Sequence, residues 1–325
     1  MVESKKKIII IDGMNLFFRC FRANPDINES GYHFGGVVGF LKSLFYYCRF
    51  YHPYKIYVVF DGFGGSSYRK KIIPSYKKGA SFKLKYKPFR PGGSISDTEE
   101  FKAFDDQLSR LKNKYLPILP FTTIQFDYIE CDDVINYIVK YKDSLDYNFT
   151  IVSSDSDYFQ LVKENVEVLN PFKKVVYNSD KVYEEFGVYP INFDIYKTFI
   201  GDKSDGIPGI KGLGKKTIFK YFPELSSKEK ISLQDIKHKC EENIQKEFYK
   251  NILNEFKNIE KYFKAVNLDE AYINTYFLEA LERIINDSGK KIFRFDYFKI
   301  YLKVDNILNN FNNVDNILID LVNLH

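Results

Sequence analysis

The chain has 325 residues, 45% hydrophobic and 28% charged, with a net charge of +5. That suffices for one large domain or a domain and a half with a sizeable core, and no apolar run is long enough for a membrane span. Four scattered cysteines, Cys20, Cys48, Cys131 and Cys240, form no C-x-x-C pair, which argues against a zinc site or a disulfide framework and for a reducing, intracellular setting.

The N-terminal lysines lead into Ile8-Ile9-Ile10-Ile11, too short for a signal-peptide core. This β-branched run predicts a strand buried on both faces, as in a parallel sheet, and Asp12-Gly13 ends it. Helices are predicted over Met14 to Arg22 and Val37 to Tyr51, the second from Val37, Phe40, Leu41, Leu44 and Phe45 at helical spacing. Lys55 to Phe60 is the next strand, and Asp61-Gly62 ends it in turn.

Residues 62–96 differ in character. They hold Gly64-Gly65, Pro74, Pro88, Pro91 and Gly92-Gly93, and Ser66 to Arg90 carries nine Lys or Arg with no acidic residue. A stretch this long within a compact domain predicts a functional loop or lid. A helix resumes at Asp97 and runs to Tyr115, its acidic first turn suited to a helix N-terminus.

Phe121 to Phe126 is a third strand, and Glu130-Cys131-Asp132-Asp133 opens a helix to Tyr141. Phe149 to Ser153 is a fourth strand, closed by Asp155-Ser156-Asp157, and a short helix, Val166 to Leu169 and Val175 to Tyr177 follow. Alternating strands and helices predict an α/β class with a mostly parallel central sheet and helices on both faces. After residue 190 the chain turns helical, with seams such as Leu278, Leu281, Ile284 and Ile285 suited to packing on the core. Two domains are expected, a 1–199 core with an excursion at 62–96 and a 200–325 helical region.

The carboxylates carry the chemistry. Asp12, Asp61, Asp155 and Asp157 follow strand ends, and strand C-termini line the edge where ligands bind in such sheets. Glu130, Asp132, Asp133, Asp202 and Asp205 complete the set. So many carboxylates on one edge repel strongly unless a counter-charge is present. The counter-charge they suit is a pair of Mg2+ ions, which take hard oxygen ligands and act on phosphodiesters when held roughly 4 Å apart.

Gly206 to Thr217 has the form of a helical hairpin, in which Gly209, Gly212 and Gly214 permit close approach to a phosphate and Lys211, Lys215 and Lys216 add charge. Such contacts grip a backbone and read no bases, so binding should be salt-sensitive and sequence-independent. A P-loop is excluded: Lys216 stands where Ser or Thr should be, Thr217 comes one residue late, and no strand directly precedes the segment.

With these pieces assembled, the chain resembles the flap endonuclease / 5′-3′ exonuclease family. The likeness covers residues 8–225 and rests on Ile10-Ile11-Asp12-Gly13, Val59-Phe60-Asp61, Glu130-Cys131-Asp132-Asp133, Ser153-Ser154-Asp155-Ser156-Asp157 and Gly201-Asp202-Lys203-Ser204-Asp205-Gly206-Ile207-Pro208-Gly209. It implies a PIN-like 5′ nuclease core with a helical arch, a helix–three-turn–helix and a helical C-terminal region. A first Mg2+ (or Mn2+ in its place) would be held by Asp12, Asp61, Glu130 and Asp132. A second would use Asp132, Asp155, Asp157 and Asp202, with Asp133 and Asp205 in the outer shell. The Gly206 to Thr217 segment, Thr217 included, would grip duplex DNA with a bound K+. Residues 66–96 would form the arch, with Tyr76-Lys77 matching the family's Tyr-Lys pair and Lys77 stabilising the scissile phosphate. The family's second arch cation falls on Ala80, which leaves Lys78, Lys83 or Arg90 for that role, and Tyr76, Phe82, Tyr86 and Phe89 could stack on unpaired bases.

The resemblance also implies branched or flapped DNA, RNA–DNA hybrids and replication proteins as partners, a monomeric state, and a setting in the cytoplasm or, for a viral chain, the host-cell cytoplasm. Two other readings use the same residues: a degenerate relative that only binds branched DNA, and an RNA-cleaving PIN-like enzyme. Intact carboxylates speak against the first and the Gly206 to Thr217 hairpin against the second.

Overall fold

A computed structural model describes residues 5–24, 26–77, 89–90, 93–94, 97–143, 146–270, 273–287, 293–312 and 314–322. In chain order its elements begin β1 (Lys6–Asp12), α1 (Gly13–Ala23), α2 (Gly35–Tyr51), β2 (Lys55–Asp61) and α3 (Ser67–Ile72). The short strands β3 (Phe89–Arg90) and β4 (Gly93–Ser94) pair antiparallel. Next come α4 (Asp97–Arg110), β5 (Thr122–Phe126), α5 (Cys131–Tyr141), β6 (Tyr147–Val152), β7 (Val166–Asn170) and β8 (Val175–Tyr177). The remainder is helical: α6 (Ser179–Phe186), α7 (Phe193–Ile200), α8 (Ile218–Tyr221), α9 (Leu233–Glu242), α10 (Glu247–Asn254), α11 (Phe256–Val266), α12 (Thr275–Asn286), α13 (Phe295–Val304) and α14 (Val314–Val322).

The central sheet has six strands in the order β5-β2-β1-β6-β7-β8, all parallel except β8, which runs antiparallel to β7. The strand order reverses at β1: β2 and β5 extend to one side, β6 and β7 to the other. Such a switch point leaves a crevice beyond the strand C-termini. Side chains alternate across a strand. Ile8 and Ile10 accordingly enter the core on one face, and Ile9 and Ile11 the core on the other. Each buried isoleucine contributes roughly 1.5–3 kcal/mol of hydrophobic stabilisation.

One core continues from the sheet through Tyr158 and Phe199 to Leu281 and Ile285 of α12. The other joins α1, α2 and α4 to Phe298 and Leu302 of α13 and Leu321 of α14. The predicted Asp97–Tyr115 helix is α-helical to Arg110 and becomes a π turn over Leu111–Tyr115. Pro117 follows within the next turn, where its missing amide ends helical bonding. Among the described residues, no helix is long and apolar enough to cross a membrane.

Candidate metal centre

Asp12 closes β1 and caps α1, accepting from the Asn15 amide at 3.0 Å. Its other oxygen accepts from Ser153 Oγ at 3.0 Å, just beyond β6, and lies 3.3 Å from Tyr158 OH. Tyr158 OH donates to Asp132 Oδ1 at 2.6 Å. Two hydroxyls thus tie the ends of β1 and β6 to the first turn of α5. Asp61 closes β2 and accepts from the Cys131 amide at 2.8 Å, at the start of α5. Asp155 accepts from the Asp157 amide at 3.0 Å while its own amide donates to Ser153 Oγ at 3.1 Å.

Asp12, Asp61, Asp132 and Asp155 therefore share one electrostatic field. Burial, and then the Asp132 carboxylate, push Asp12 up to about 8. The same two causes raise Asp61. Burial raises Asp155 too, with Asp132 and Asp202 adding to it and Lys197 opposing. Atoms of Asp12, Cys131 and Asp132 lie within 4.8 Å of one another. The Cys131 thiol is buried, held well above its usual range by desolvation, and points at the Val59 carbonyl at 3.4 Å. It stays protonated, so the donors offered are carboxylate oxygens, which suit a hard divalent cation such as Mg2+.

Basic groups enter from two sides. From α3, the buried Arg69 guanidinium bonds Glu130 and both oxygens of Asp133, at 3.0 and 2.6 Å, and its Nε donates to the Ala265 carbonyl at 2.9 Å. Lys77 Nζ reaches Glu130 Oε1 at 2.5 Å. From α7, the buried Lys197 ammonium contacts Asp157 and lies 2.9 Å from Asp202 Oδ2. Burial raises Asp202, but Lys197 and Ser204 outweigh it and hold the group at about 2. Burial lifts Asp133 and Asp205 to about 6, with Arg69 opposing in the first case and Lys77 in the second.

Asp205 sits under the start of the excursion. Its carbonyl accepts from the Lys77 amide at 3.0 Å, and its carboxylate lies 3.5 Å from Tyr76 OH. Gly206 packs against this segment: a Cβ there would meet the Ser75 carbonyl at 2.8 Å. Tyr76 is buried with Ile73, Ile207, Ala265 and Val266, so its ring is not presented for stacking on an unpaired base. Lys78, Lys83, Phe82 and Tyr86, and the side chains of Phe89 and Arg90, lie outside the described residues.

The glycine-rich segment leaves α7 at Gly201, makes successive turns and ends in the single turn of α8. Gly209, at φ +67°, abuts Gly201 so closely that a Cβ would lie 2.6 Å from the Gly201 amide nitrogen. Gly212, at φ +87°, faces open space. Thr217 Oγ1 accepts from the Gly214 amide at 2.8 Å, which closes the turn. Lys211, Lys215 and Lys216 are exposed.

Sequence reasoning missed Arg69, Lys197 and the hydroxyls of Ser153 and Tyr158. The only signal for Arg69 was its place among the nine basic residues that follow Asp61.

Sheet, switch point and carboxylate cluster define a resolvase-like α/β domain built around an acidic centre. Residues 7–187 match the family model described as the 5′-3′ exonuclease N-terminal, resolvase-like domain, and the chain belongs to that family. It is 32% identical over 227 residues to the 5′-3′ exonuclease of Aquifex aeolicus, covering 70% of this chain and 72% of that one. It is 29% identical over 246 residues to the thermostable DNA polymerase I of Thermus thermophilus, covering 75% of this chain but 27% of the polymerase. The fold matches the bacteriophage T5 D15 flap endonuclease, solved with DNA and metal ions, at a TM-score of 0.64 and 18% identity over 92% of this chain and 99% of that one.

Proposed function

We propose that the chain is a structure-specific 5′ nuclease that hydrolyses phosphodiesters of DNA flaps, and of RNA primers on DNA, during replication or repair. The observation that carries this reading is the convergence of Asp12, Asp61, Asp132 and Asp155 at the β1/β6 switch point, with Lys77 beside them on Glu130. Asp12, Asp61, Glu130 and Asp132 would hold one Mg2+, and Asp132, Asp155, Asp157 and Asp202 a second, with Mn2+ able to replace either. When bound, the pair would supply an activated water and neutralise charge on the leaving oxygen.

The chain's own groups prepare that chemistry. Ser153 and Tyr158 donate to Asp12 and Asp132, which fixes which carboxylate oxygens remain open. Arg69 holds Glu130 and Asp133 in place through buried ion pairs. Lys77 can exchange Glu130 for a phosphate oxygen and stabilise the charge that builds there. The exposed Gly212 and the lysines at 211, 215 and 216 would take the duplex backbone, with K+ at the turn carbonyls.

In this reading the 1–199 core cuts, the 62–96 arch admits the 5′ end, and the 200–325 region grips duplex. A monomer working inside a cell, alongside replication proteins, suits it. Cleavage of a labelled 5′ flap, a nicked duplex and an RNA–DNA hybrid tests it, each with magnesium and with chelator. Release of 5′-phosphate products with magnesium alone is expected; undiminished cleavage in chelator, or none of the three cut, overturns it.

A further inference from the structure

The acidic centre is unequal in charge. Around Asp12 and Asp132 the donors are neutral hydroxyls, Ser153 Oγ at 3.0 Å from Asp12 and Tyr158 OH at 2.6 Å from Asp132, and the cations on that side, Arg69 and Lys77, sit on Glu130. Around Asp157 and Asp202 the donor is a full positive charge. Lys197 comes from α7 with its side chain only 7% exposed, and its ammonium contacts Asp157 and lies 2.9 Å from Asp202. A buried lysine keeps its charge only when carboxylates compensate it, and those compensating Lys197 are two of the four assigned above to the second metal position.

We propose that Lys197 is a tethered counter-ion that competes with the second divalent cation, so that the two metal positions fill unequally until a substrate arrives. A dication that shares the oxygens of Asp157 and Asp202 with an ammonium meets direct repulsion at two of its ligands, whereas at the first position the cations, Arg69 and Lys77, sit on Glu130 alone. A phosphodiester entering the crevice brings negative charge. It offers Lys197 another partner and favours the dication at Asp155, Asp157 and Asp202. The half of the centre that carries Lys197 would then be completed by substrate, which limits idle hydrolysis by a fully loaded site. Lys197 is a positioning residue here: it acts through Asp157 and Asp202.

The inference rests on the metal-dependent reading above, and the test separates the two. Mn2+ is titrated into the full chain without DNA and followed by calorimetry and by the electron paramagnetic resonance of bound Mn2+. The wild type is expected to show one tight site and a second weaker by about tenfold or more. Lys197→Gln should tighten the second site by about tenfold and leave the first within about twofold, while Lys197→Arg, which keeps the charge, should leave the second site weak. Lys197→Met replaces the Gln variant if the latter lacks a native circular dichroism spectrum. Two equal sites in the wild type, or a second constant unmoved in a folded neutral variant, overturn the counter-ion role. Absence of any Mn2+ binding by the wild type overturns the metal-dependent reading itself.

Discussion

Arg69 Nη2 lies 2.6 Å from Asp133 Oδ1, and both side chains are buried. The same guanidinium bonds Glu130, and its Nε donates to the Ala265 carbonyl at the end of α11. One cation therefore joins α3, α5 and α11 behind the acidic centre. Removing it leaves Glu130 and Asp133 without their shared partner in a site that water reaches poorly. Breaking a buried ion pair by deleting one partner costs about 3–5 kcal/mol. Arg69→Met is expected to lose stability on that scale in urea unfolding, and Arg69→Lys to lose part of it, because an ammonium cannot reproduce the fork. Wild-type stability in Arg69→Met would show that this cluster does not hold the fold together.

Lys77 adopts a left-handed backbone, at φ 51°, with its amide fixed on the Asp205 carbonyl at 3.0 Å. Its ammonium is thus aimed at the centre by a contact with the loop that precedes the glycine-rich segment. A positioned cation of this kind acts on charge that develops in the transition state, so its loss should appear in kcat. Lys77→Ala is expected to lower kcat on flap substrate by about 10²–10³-fold while the dissociation constant for that DNA shifts only a few-fold. A raised KM with unchanged kcat would make Lys77 a binding residue only.

Much of this was legible in the sequence, and the boundary follows from what burial hides. Strands such as Ile8 to Ile11 announce themselves because both of their faces are covered, and Asp12 and Asp61 because Asp-Gly ends those strands. The site followed from topology: strand C-termini share an edge, so Asp12, Asp61 and Asp155 had to meet. Arg69 was not legible because Glu130 and Asp133 lie far along the chain, and Lys197, although Asp202 follows closely, because nothing in an apolar helix marks a cation that turns inward. Tyr76 shows the converse error. An aromatic among lysines suggests stacking on bases, yet Ile73, Ile207 and Val266 enclose it. The antiparallel turn of β8 and the π turn at Leu111–Tyr115 likewise depend on tertiary packing rather than local pattern.

In chelator, the carboxylates should make the folded state less stable as pH rises. Burial and Asp132 hold Asp12 at about 8 against an ordinary value of 3.8, and Asp133 and Asp205 stand at about 6. Between roughly pH 4 and 8 the unfolded chain has released protons that the native state retains, so the unfolding free energy falls with pH. Asp202, held at about 2, has the opposite slope, but only below pH 4. Melting temperatures in chelator should therefore drop by several degrees from pH 5 to pH 8, and Asp12→Asn should flatten the profile. A melting temperature that climbs steadily over this range would contradict the arrangement.

The exposed lysines at 211, 215 and 216 surround the open Gly212, where a phosphate can approach the backbone without meeting a side chain. In the proposed duplex grip they would meet phosphates alone, and their contribution would then be counter-ion release, which appears as salt dependence. If each meets one phosphate, replacing all three by Ala should reduce the slope of log affinity against log salt by about 2–3, since each neutralised phosphate contributes about 0.9. The weakening should be equal for flaps of different sequence, and kcat at saturating substrate should stay within a few-fold of wild type because the acidic centre is untouched. A slope that does not change in the triple variant would move the duplex grip away from this turn, and a weakening that depends on sequence would mean that these residues read bases.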